Sequence, residues 1–303
     1  MKVLISGATG FIGVNVLQEL ESAGYEISIL VRDTTDTSKI SKKIKKYNFN
    51  HDLPSLIEYM ESEKFDGVIH LASLFLASHK SEDVESLVTS NVVFSTLLLE
   101  AAVRAKIPWF INTGTFWQHY KNKRYSPVNL YAATKEAFEI IAKYYLETTT
   151  INFVTIQLSD TFGTLDTRPK IFNLLSKISK SGETLEMSPG EQLLDITHVK
   201  NIVDAYRQLS QLLAKDTKRK LKGKVFALSS RKVISLKKFV SIFEKVSGTK
   251  LNITWGGRPY RQREVMVPWN KGIKVPGWKP KITLEEGIRL TLKEEPQSKN
   301  KES

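Results

Sequence analysis

The sequence predicts an α/β fold: an open, doubly wound parallel sheet, with a smaller discontinuous lobe assembled from segments of the C-terminal half. Three observations predict it. Short apolar runs alternate with helical patterns from the N-terminus onward, which is the rhythm of repeated strand–helix–strand units. A glycine-rich turn joins the first apolar run to the first helical pattern. Further on, an apolar run that ends in a hydroxyl residue, Thr113, is followed by a helical pattern carrying Tyr131 and Lys135.

The opening stretch, MKVLISGATGFIGVNVLQELESAGYEISILVRD, holds the whole first unit. An apolar run ends at Ser6, and Gly7, Gly10 and Gly13 follow with G-x-x-G-x-x-G spacing. Residues 14–20 have a helical pattern and residues 27–31 form a second apolar run. Glycine permits the tight turn and lets the backbone approach a pyrophosphate at the helix N-terminus, where free N–H groups and the helix dipole favour anions. Gly7, Thr9, Gly10, Phe11, Ile12 and Gly13 are therefore candidate dinucleotide contacts. The second run ends in LVRD. An arginine at a strand end suits a 2′-phosphate, whereas an acidic residue binds free ribose hydroxyls. Arg32 favours NADP(H); the adjacent Asp33 keeps NAD(H) open.

Residues 65–73, FDGVIHLAS, read as a buried strand ending in a small-residue turn, Leu71, Ala72 and Ser73. His70, inside that strand, reads as structural. Residues 90–107 form a helical run with apolar residues on one face, and WFIN at 109–112 is the next strand. Thr113 then sits at a strand's carboxyl end, where open parallel sheets place their ligands. In the helical pattern at 129–146, Tyr131 and Lys135 stand at i and i+4 and share a face. A phenol with an ordinary pKa of about 10 is a poor acid or base at neutral pH. A neighbouring ammonium, together with the charge of an oxidised nicotinamide, stabilises the phenolate and is expected to bring that pKa down. Tyr144 and Tyr145 have no lysine four residues on and read as packing residues.

Toward the C-terminus, residues 151–175 contain a strand leading into a turn at 160–163, and residues 233–247 form an amphipathic helix. The RQRE stretch at 261–264 offers Arg261 and Arg263 to a diphosphate, since guanidinium forks pair bidentately with phosphate. Arg168 and Lys170 are further candidates, and His198 reads as structural. The expected division is a dinucleotide-binding domain of residues 1–163 and 191–230, a substrate-binding lobe of 164–190 and 231–293, and a disordered tail at 294–303. No internal repeat or Gly/Ser-rich linker interrupts it.

Composition narrows the function. The chain has 303 residues and a formal charge of +13, which raises nucleic acid as a partner. Its lysines, however, fall in helix-like or tail segments such as SKKIKK at 41–46 and KDTKRKLKGK at 215–224, without interleaved aromatics. The better expectation is a solvated face and a preference for anionic small molecules, with no nucleic-acid partner. The absence of cysteine removes disulfides, thiolate catalysis and Cys-based metal sites, and no metal is expected. The first strand-like run begins at Val3, leaving no room for a signal peptide, and no apolar stretch approaches the roughly 20 residues that cross a bilayer. The expected setting is cytoplasmic, with no membrane partner.

From about residue 2 to about 292 these motifs resemble, in order, the extended short-chain dehydrogenase/reductase family of NAD-dependent epimerases and dehydratases. GATGFIG matches its glycine turn. The Asp52-Leu53 pair resembles the acidic–apolar pair beside the adenine, and Leu71, Ala72 and Ser73 resemble the turn that lies along the cofactor. Asn91 matches the helix asparagine that helps fix the active-site backbone. Asp195, His198 and Val199 match a further motif, with Leu194 where the family has arginine. The 160–163 turn resembles an Asn-x-Tyr-Gly-Pro turn with Asp160 in place of the amide. GWKP followed by LEEG is close to the family's ending.

The resemblance implies a Rossmann fold and a triad. Thr113 would orient the substrate oxygen, Tyr131 would exchange the proton, and Lys135 would hold the cofactor ribose and lower the Tyr131 pKa. It also implies a homodimer through the Tyr131-bearing helix. In the family's sugar-nucleotide 4,6-dehydratases the two positions after the hydroxyl residue carry an acidic pair that eliminates water. Here they are Gly114 and Thr115, so dehydration loses its chemistry. INTGTFWQ, LYAATK and the DTFG turn look most like the bacterial CDP-sugar 4-ketoreductases of 3,6-dideoxyhexose synthesis (paratose and abequose synthases). The expected activity is NADPH-dependent reduction of the 4-keto group of a nucleotide-activated deoxysugar, of the CDP-4-keto-3,6-dideoxyhexose type, for deoxysugar or surface-polysaccharide biosynthesis. Thr115, Asp160, Lys170, Arg261 and Arg263 would meet the nucleotide-diphosphate sugar. One alternative is a nucleotide-sugar 4-epimerase with tightly held NAD. Another is a non-catalytic NADP(H)-sensing or RNA-binding protein, which would have no need of the acid/base triad.

Overall fold

A computed structural model describes residues 1–38 and 40–294. Seven parallel strands form the main sheet: β1 (Lys2–Ser6), β2 (Glu26–Val31), β3 (Lys45–Asn48), β4 (Gly67–His70), β5 (Trp109–Thr115), β6 (Asn152–Leu158) and, after four short strands, β11 (Val225–Leu228). Their order is β11-β6-β5-β4-β1-β2-β3, so the winding reverses between β1 and β4 and opens a crevice at the strands' carboxyl ends.

Strand alternation sends side chains to two apolar layers, which is why these strands read as continuous apolar runs. Val3, Ile5, Trp109 and Ile111 pack with α1 (Phe11–Ser22) and α7 (Val199–Lys215), whose Tyr206 is fully buried. Leu4, Val68 and Phe110 pack on the other face against α2 (Leu53–Glu63), α4 (Phe94–Arg104) and α5 (Leu130–Thr148).

A third apolar cluster lies outside the sheet and draws on distant segments. It joins Phe172 and Leu175 of α6 (Ile171–Ser181), Phe239 and Phe243 of α8 (Leu236–Ser247), and Ile288 of α9 (Leu284–Glu294). Burying a phenylalanine stabilises by about 1.5–3 kcal/mol, and Phe239 and Phe243 are both fully buried. Three short pairs stitch these segments together. They are β7 (Asp160–Phe162) with β10 (Ile196–His198), β8 (Leu185–Met187) with β13 (Ile253–Trp255), and β9 (Leu193–Leu194) with β12 (Ile234–Ser235).

The structure departs from the sequence reading in places. Lys45 and Lys46, read as helix-like, begin the edge strand β3, where exposed lysines discourage further strand pairing. Strand β5 continues to Thr115, two residues past Thr113, where the sequence reading ended it. The apolar run before it is longer than expected. Helix α3 (Asp83–Val88), a π-helical turn (Thr89–Val93) and α4 form one helix of 22 residues, Asp83–Arg104, long and apolar enough to cross a membrane by length and composition. Leu87, Leu98, Leu99, Ala101 and Ala102 on it are nevertheless fully buried inside the fold. Glu294, placed at the start of the tail, instead closes α9 and accepts hydrogen bonds from Thr164 and Lys200. Residues 295–303 lie outside the described residues.

Candidate active site

A cleft of about 1250 Å³ opens at the carboxyl ends of β1, β4, β5 and β6, between the sheet and the third apolar cluster. At one end is the glycine turn. Gly7 has φ +75°, and a Cβ there would lie 2.6 Å from Ala72 Cα. A Cβ on Gly13 would lie 2.7 Å from Ala8 Cα and closer still to the Gly7 carbonyl oxygen. The turn therefore brings the N-terminus of α1 directly over β1. Gly10, its N-cap, supplies no side-chain hydrogen bond, so the first-turn N–H groups have no side-chain cap. This cradle fits the pyrophosphate of a dinucleotide.

Gly7, Gly10, Phe11, Ile12, Gly13, Leu71 and Ser73 all line the cleft; Thr9, Arg32, Asp52, Leu53, Ala72 and Asn91 do not. Thr9 is exposed on the turn and Ala72 presents its backbone to Gly7. Asp52 is the N-cap of α2, accepting from the backbone N–H and the hydroxyl of Ser55. Leu53 packs with the second apolar layer. Arg32 is exposed just after β2, and neighbouring Asp33 accepts a hydrogen bond from Asn48 of β3. Asn91 sits in the π-helical turn, fully buried. Its Oδ1 accepts from Leu74 N (2.8 Å) and Ser73 Oγ (3.1 Å), while its Nδ2 donates to Leu74 O (3.0 Å) and Thr134 Oγ1 (3.0 Å). It thus ties the loop after β4 to α5.

Thr113, Thr115, Tyr131 and Lys135 converge on the middle of the cleft. Asn129 starts α5, with its Oδ1 accepting from Ala132 N at 3.0 Å and its amide donating to the carbonyls of Leu76 and Ala77. That anchors the turn carrying Tyr131, whose ring meets Phe75 edge-on at 5.0 Å. Burial pushes the Tyr131 phenol up to about 12, with the Ser73 hydroxyl and the Arg168 charge pulling the other way. Burial lowers Lys135 to about 8, opposed by Glu139. Desolvation of the charged forms dominates both shifts, so Tyr131 is a neutral phenol here.

Gly114 explains the shape of this region. A Cβ there would come within 2.8 Å of both Gln118 Oε1 and Glu139 Oε1. Gln118 Nε2 donates to Glu139 (2.9 Å) and Glu136 (2.7 Å), and its Oε1 accepts from Thr115 N. Burial pushes the Glu139 carboxyl up to about 7. Glu139 lies under the cleft and not in its lining.

The far end is basic and aromatic. Lys170 Nζ lies 3.7 Å from Asp160 Oδ1, 4.4 Å from the Phe75 ring and 5.0 Å from the Trp117 ring, and burial lowers its pKa. Arg168 pairs with both oxygens of Asp166 and stacks on Phe11 of the glycine turn at 4.6 Å. Arg263 donates to Ser126 Oγ at 2.8 Å and stacks on Tyr120, and Arg258 and Arg261 line the same end. Sequence reading missed Phe75, Trp117, Arg258 and Glu139; a Trp only four residues past Thr113 was the one available signal. His70, between Ser6 and Ser95 at 2.6 and 2.8 Å and held neutral by burial, and His198, which caps α7, have structural partners.

A parallel sheet with a glycine turn at its switch point and a Tyr-x-x-x-Lys helix beside it defines the extended short-chain dehydrogenase/reductase class. Within that class, the model of the NAD dependent epimerase/dehydratase family matches residues 3–222, and the chain belongs to that family. It is 26% identical to the CDP-abequose synthase of Salmonella typhimurium, over 96% of this chain and 97% of that protein. Among solved structures it resembles the UDP-glucose 4-epimerase of Thermotoga maritima with UDP-glucose (TM-score 0.83, 18% identity, 97% of this chain and 98% of that one). It also resembles the Thermus thermophilus UDP-glucose 4-epimerase in complex with NAD (TM-score 0.78, 19% identity, 97% and 98%).

Proposed function

We propose that the chain is a cytoplasmic nucleotide-sugar reductase that uses NADPH to reduce the 4-keto group of a CDP-4-keto-3,6-dideoxyhexose or a close analogue. The observation that carries this reading is the combination of Thr113, Tyr131 and Lys135 around one cleft with Gly114 and Thr115 where a dehydratase needs carboxyls. Full-length similarity to a CDP-abequose synthase supports the substrate class.

The glycine turn would hold the pyrophosphate of the cofactor, which supplies hydride when bound. Arg32 supports the 2′-phosphate form, because its guanidinium is exposed at the end of β2 while Asp33 is engaged by Asn48. Lys135 would bind the nicotinamide ribose. Thr113 would hydrogen-bond the C4 oxygen, and Tyr131, protonated at neutral pH, would deliver its phenolic proton to that oxygen as the alkoxide forms. Arg258, Arg261 and Arg263, which line the cleft, would meet the diphosphate, and Lys170 would offset the negative charge of Asp160, which would otherwise repel it. A homodimer through α5 is part of the proposal. Ile140 and Tyr144 on that helix are 62% and 64% exposed.

The test is NADPH consumption, followed by absorbance, with 4-keto-6-deoxy and 4-keto-3,6-dideoxy sugars on CDP, dTDP, UDP and GDP, repeated with NADH. Rapid consumption on one carrier is expected. A second reading, a 4-epimerase, draws on the fold shared with the two UDP-glucose 4-epimerases. It predicts no net consumption on any carrier and a purified protein that already carries nicotinamide absorbance.

A further inference from the structure

Thr113 has a partner outside the triad. Its Oγ1 lies 2.7 Å from the hydroxyl of Tyr206, which reaches β5 from α7 on the side of the sheet away from α5. Tyr206 is fully buried, and Thr113 is its one side-chain hydrogen-bond partner among the described residues. Either oxygen could supply the proton, and the donor inventory decides between them. If Thr113 donated to Tyr206, the phenolic O–H would be left without an acceptor in a dry interior, at a cost of about 1–3 kcal/mol. If Tyr206 donates, its proton is satisfied and the Thr113 proton is free to turn into the cleft that Thr113 lines. The second arrangement is the stable one.

We propose that Tyr206 is a positioning residue: it donates to Thr113 Oγ1 and so commits the Thr113 hydroxyl to presenting its own proton to the substrate oxygen. The assignment deepens the reductase reading and rests on it, because a carbonyl oxygen carries no proton and needs a donor already aimed at it. Burial supports it further by pushing the Tyr206 phenol well above its ordinary range, so that it is a permanent donor and not a base. The residue touches neither substrate nor cofactor in this scheme; it acts through Thr113.

The test is a cycle of Tyr206→Phe, Thr113→Val and the double variant, with turnover of the accepted 4-keto sugar and binding of NADPH both measured. Tyr206→Phe is expected to lower kcat about tenfold, the worth of one oriented hydrogen bond, with KM and NADPH affinity within about twofold of wild type. In the Thr113→Val background the same change should have no further effect on kcat. A purely structural role would move both backgrounds equally, and that result overturns the proposal, as does an unchanged kcat in the single variant. The hydroxyl proton of Tyr206, followed by NMR in protein with labelled tyrosine, gives a readout that needs no substrate and no Tyr206 substitution. Thr113→Val removes its acceptor and should speed its exchange at least about tenfold, whereas unchanged exchange overturns the assignment. If the wild-type protein reduces no 4-keto sugar, the reductase reading fails on its own, and proton exchange still decides the direction of the hydrogen bond.

Discussion

Gly13→Ala is the sharpest test of the cofactor cradle. The added methyl would sit 2.7 and 2.8 Å from Ala8 Cα and C, and nearer still to the Gly7 carbonyl oxygen. All of these are backbone atoms, so no rotamer change relieves the overlap. Carbon atoms pack at about 3.5–4.0 Å, so α1 must retreat from the turn by roughly 1 Å. Overpacking of this kind costs about 1–3 kcal/mol, or a fall in Tm of roughly 2–5 °C for a chain of 303 residues. The same retreat draws the α1 N–H groups away from the pyrophosphate. Losing even about 1.4 kcal/mol of those contacts weakens NADPH binding tenfold. Gly24→Ala is the control: Gly24 also has positive φ (+78°), but a Cβ there meets nothing within 4 Å. It should lower Tm by the cost of left-handed backbone, about 1–2 kcal/mol, and leave cofactor affinity alone. Thermal melts and NADPH fluorescence titrations read both quantities. Wild-type affinity in Gly13→Ala would mean that the dinucleotide does not lie on this turn.

Other expectations follow from the same geometry. Tyr131→Phe should reduce turnover by about 10²–10⁴ with cofactor affinity retained; wild-type turnover would exclude Tyr131 as the proton donor. Arg32→Ala should weaken NADPH binding about tenfold and NADH binding hardly at all, and an equal loss for both would remove the case for a 2′-phosphate site. Lys170→Met leaves Asp160 uncompensated beside the diphosphate and should raise KM about tenfold, with Asp160→Asn in that background recovering much of it. Glu139, pushed up to about 7 from an ordinary 4.5, keeps its proton where the unfolded chain has lost it. Its contribution to stability is complete below the ordinary value and disappears as pH rises through about 7. Glu139→Gln should therefore raise Tm more at about pH 8 than at about pH 5, and a gain of the opposite order in melts across that range would refute the assignment.

The strand–turn–helix unit of residues 2–31 was legible because every requirement is local: an apolar run, glycines at fixed spacing, then a helical period. The order of motifs likewise placed Thr113, Tyr131 and Lys135 at one cleft, since each belongs to an element whose position a doubly wound sheet dictates. What stayed hidden depends on tertiary neighbours. Tyr206 is one more apolar-face residue of an amphipathic helix until the fold lays α7 under β5. Lys170 is a diphosphate candidate in the sequence, but nothing there shows that Phe75 and Trp117, each more than fifty residues away, close around it. Asp52 carries a second reading, because an acidic residue before Leu-Pro-Ser is also a helix cap, and its carboxylate caps α2. The desolvation of Tyr131 and Lys135 was hidden as well, because spacing along a helix carries no information about how dry its surroundings will be.

The glutamate beneath Gly114 also constrains what this scaffold can become. Converting the site toward water elimination begins with an acidic residue at 114. Here that side chain would enter occupied space and set one carboxylate against another within a buried, hydrogen-bonded cluster. A change at 114 alone meets this obstacle, and so does removing Glu139 alone, because Gln118 would then lose one of its acceptors. An acidic side chain at 114 therefore has to be accompanied by a rearrangement of Glu139 and Gln118, and an acidic pair would need a further change at Thr115.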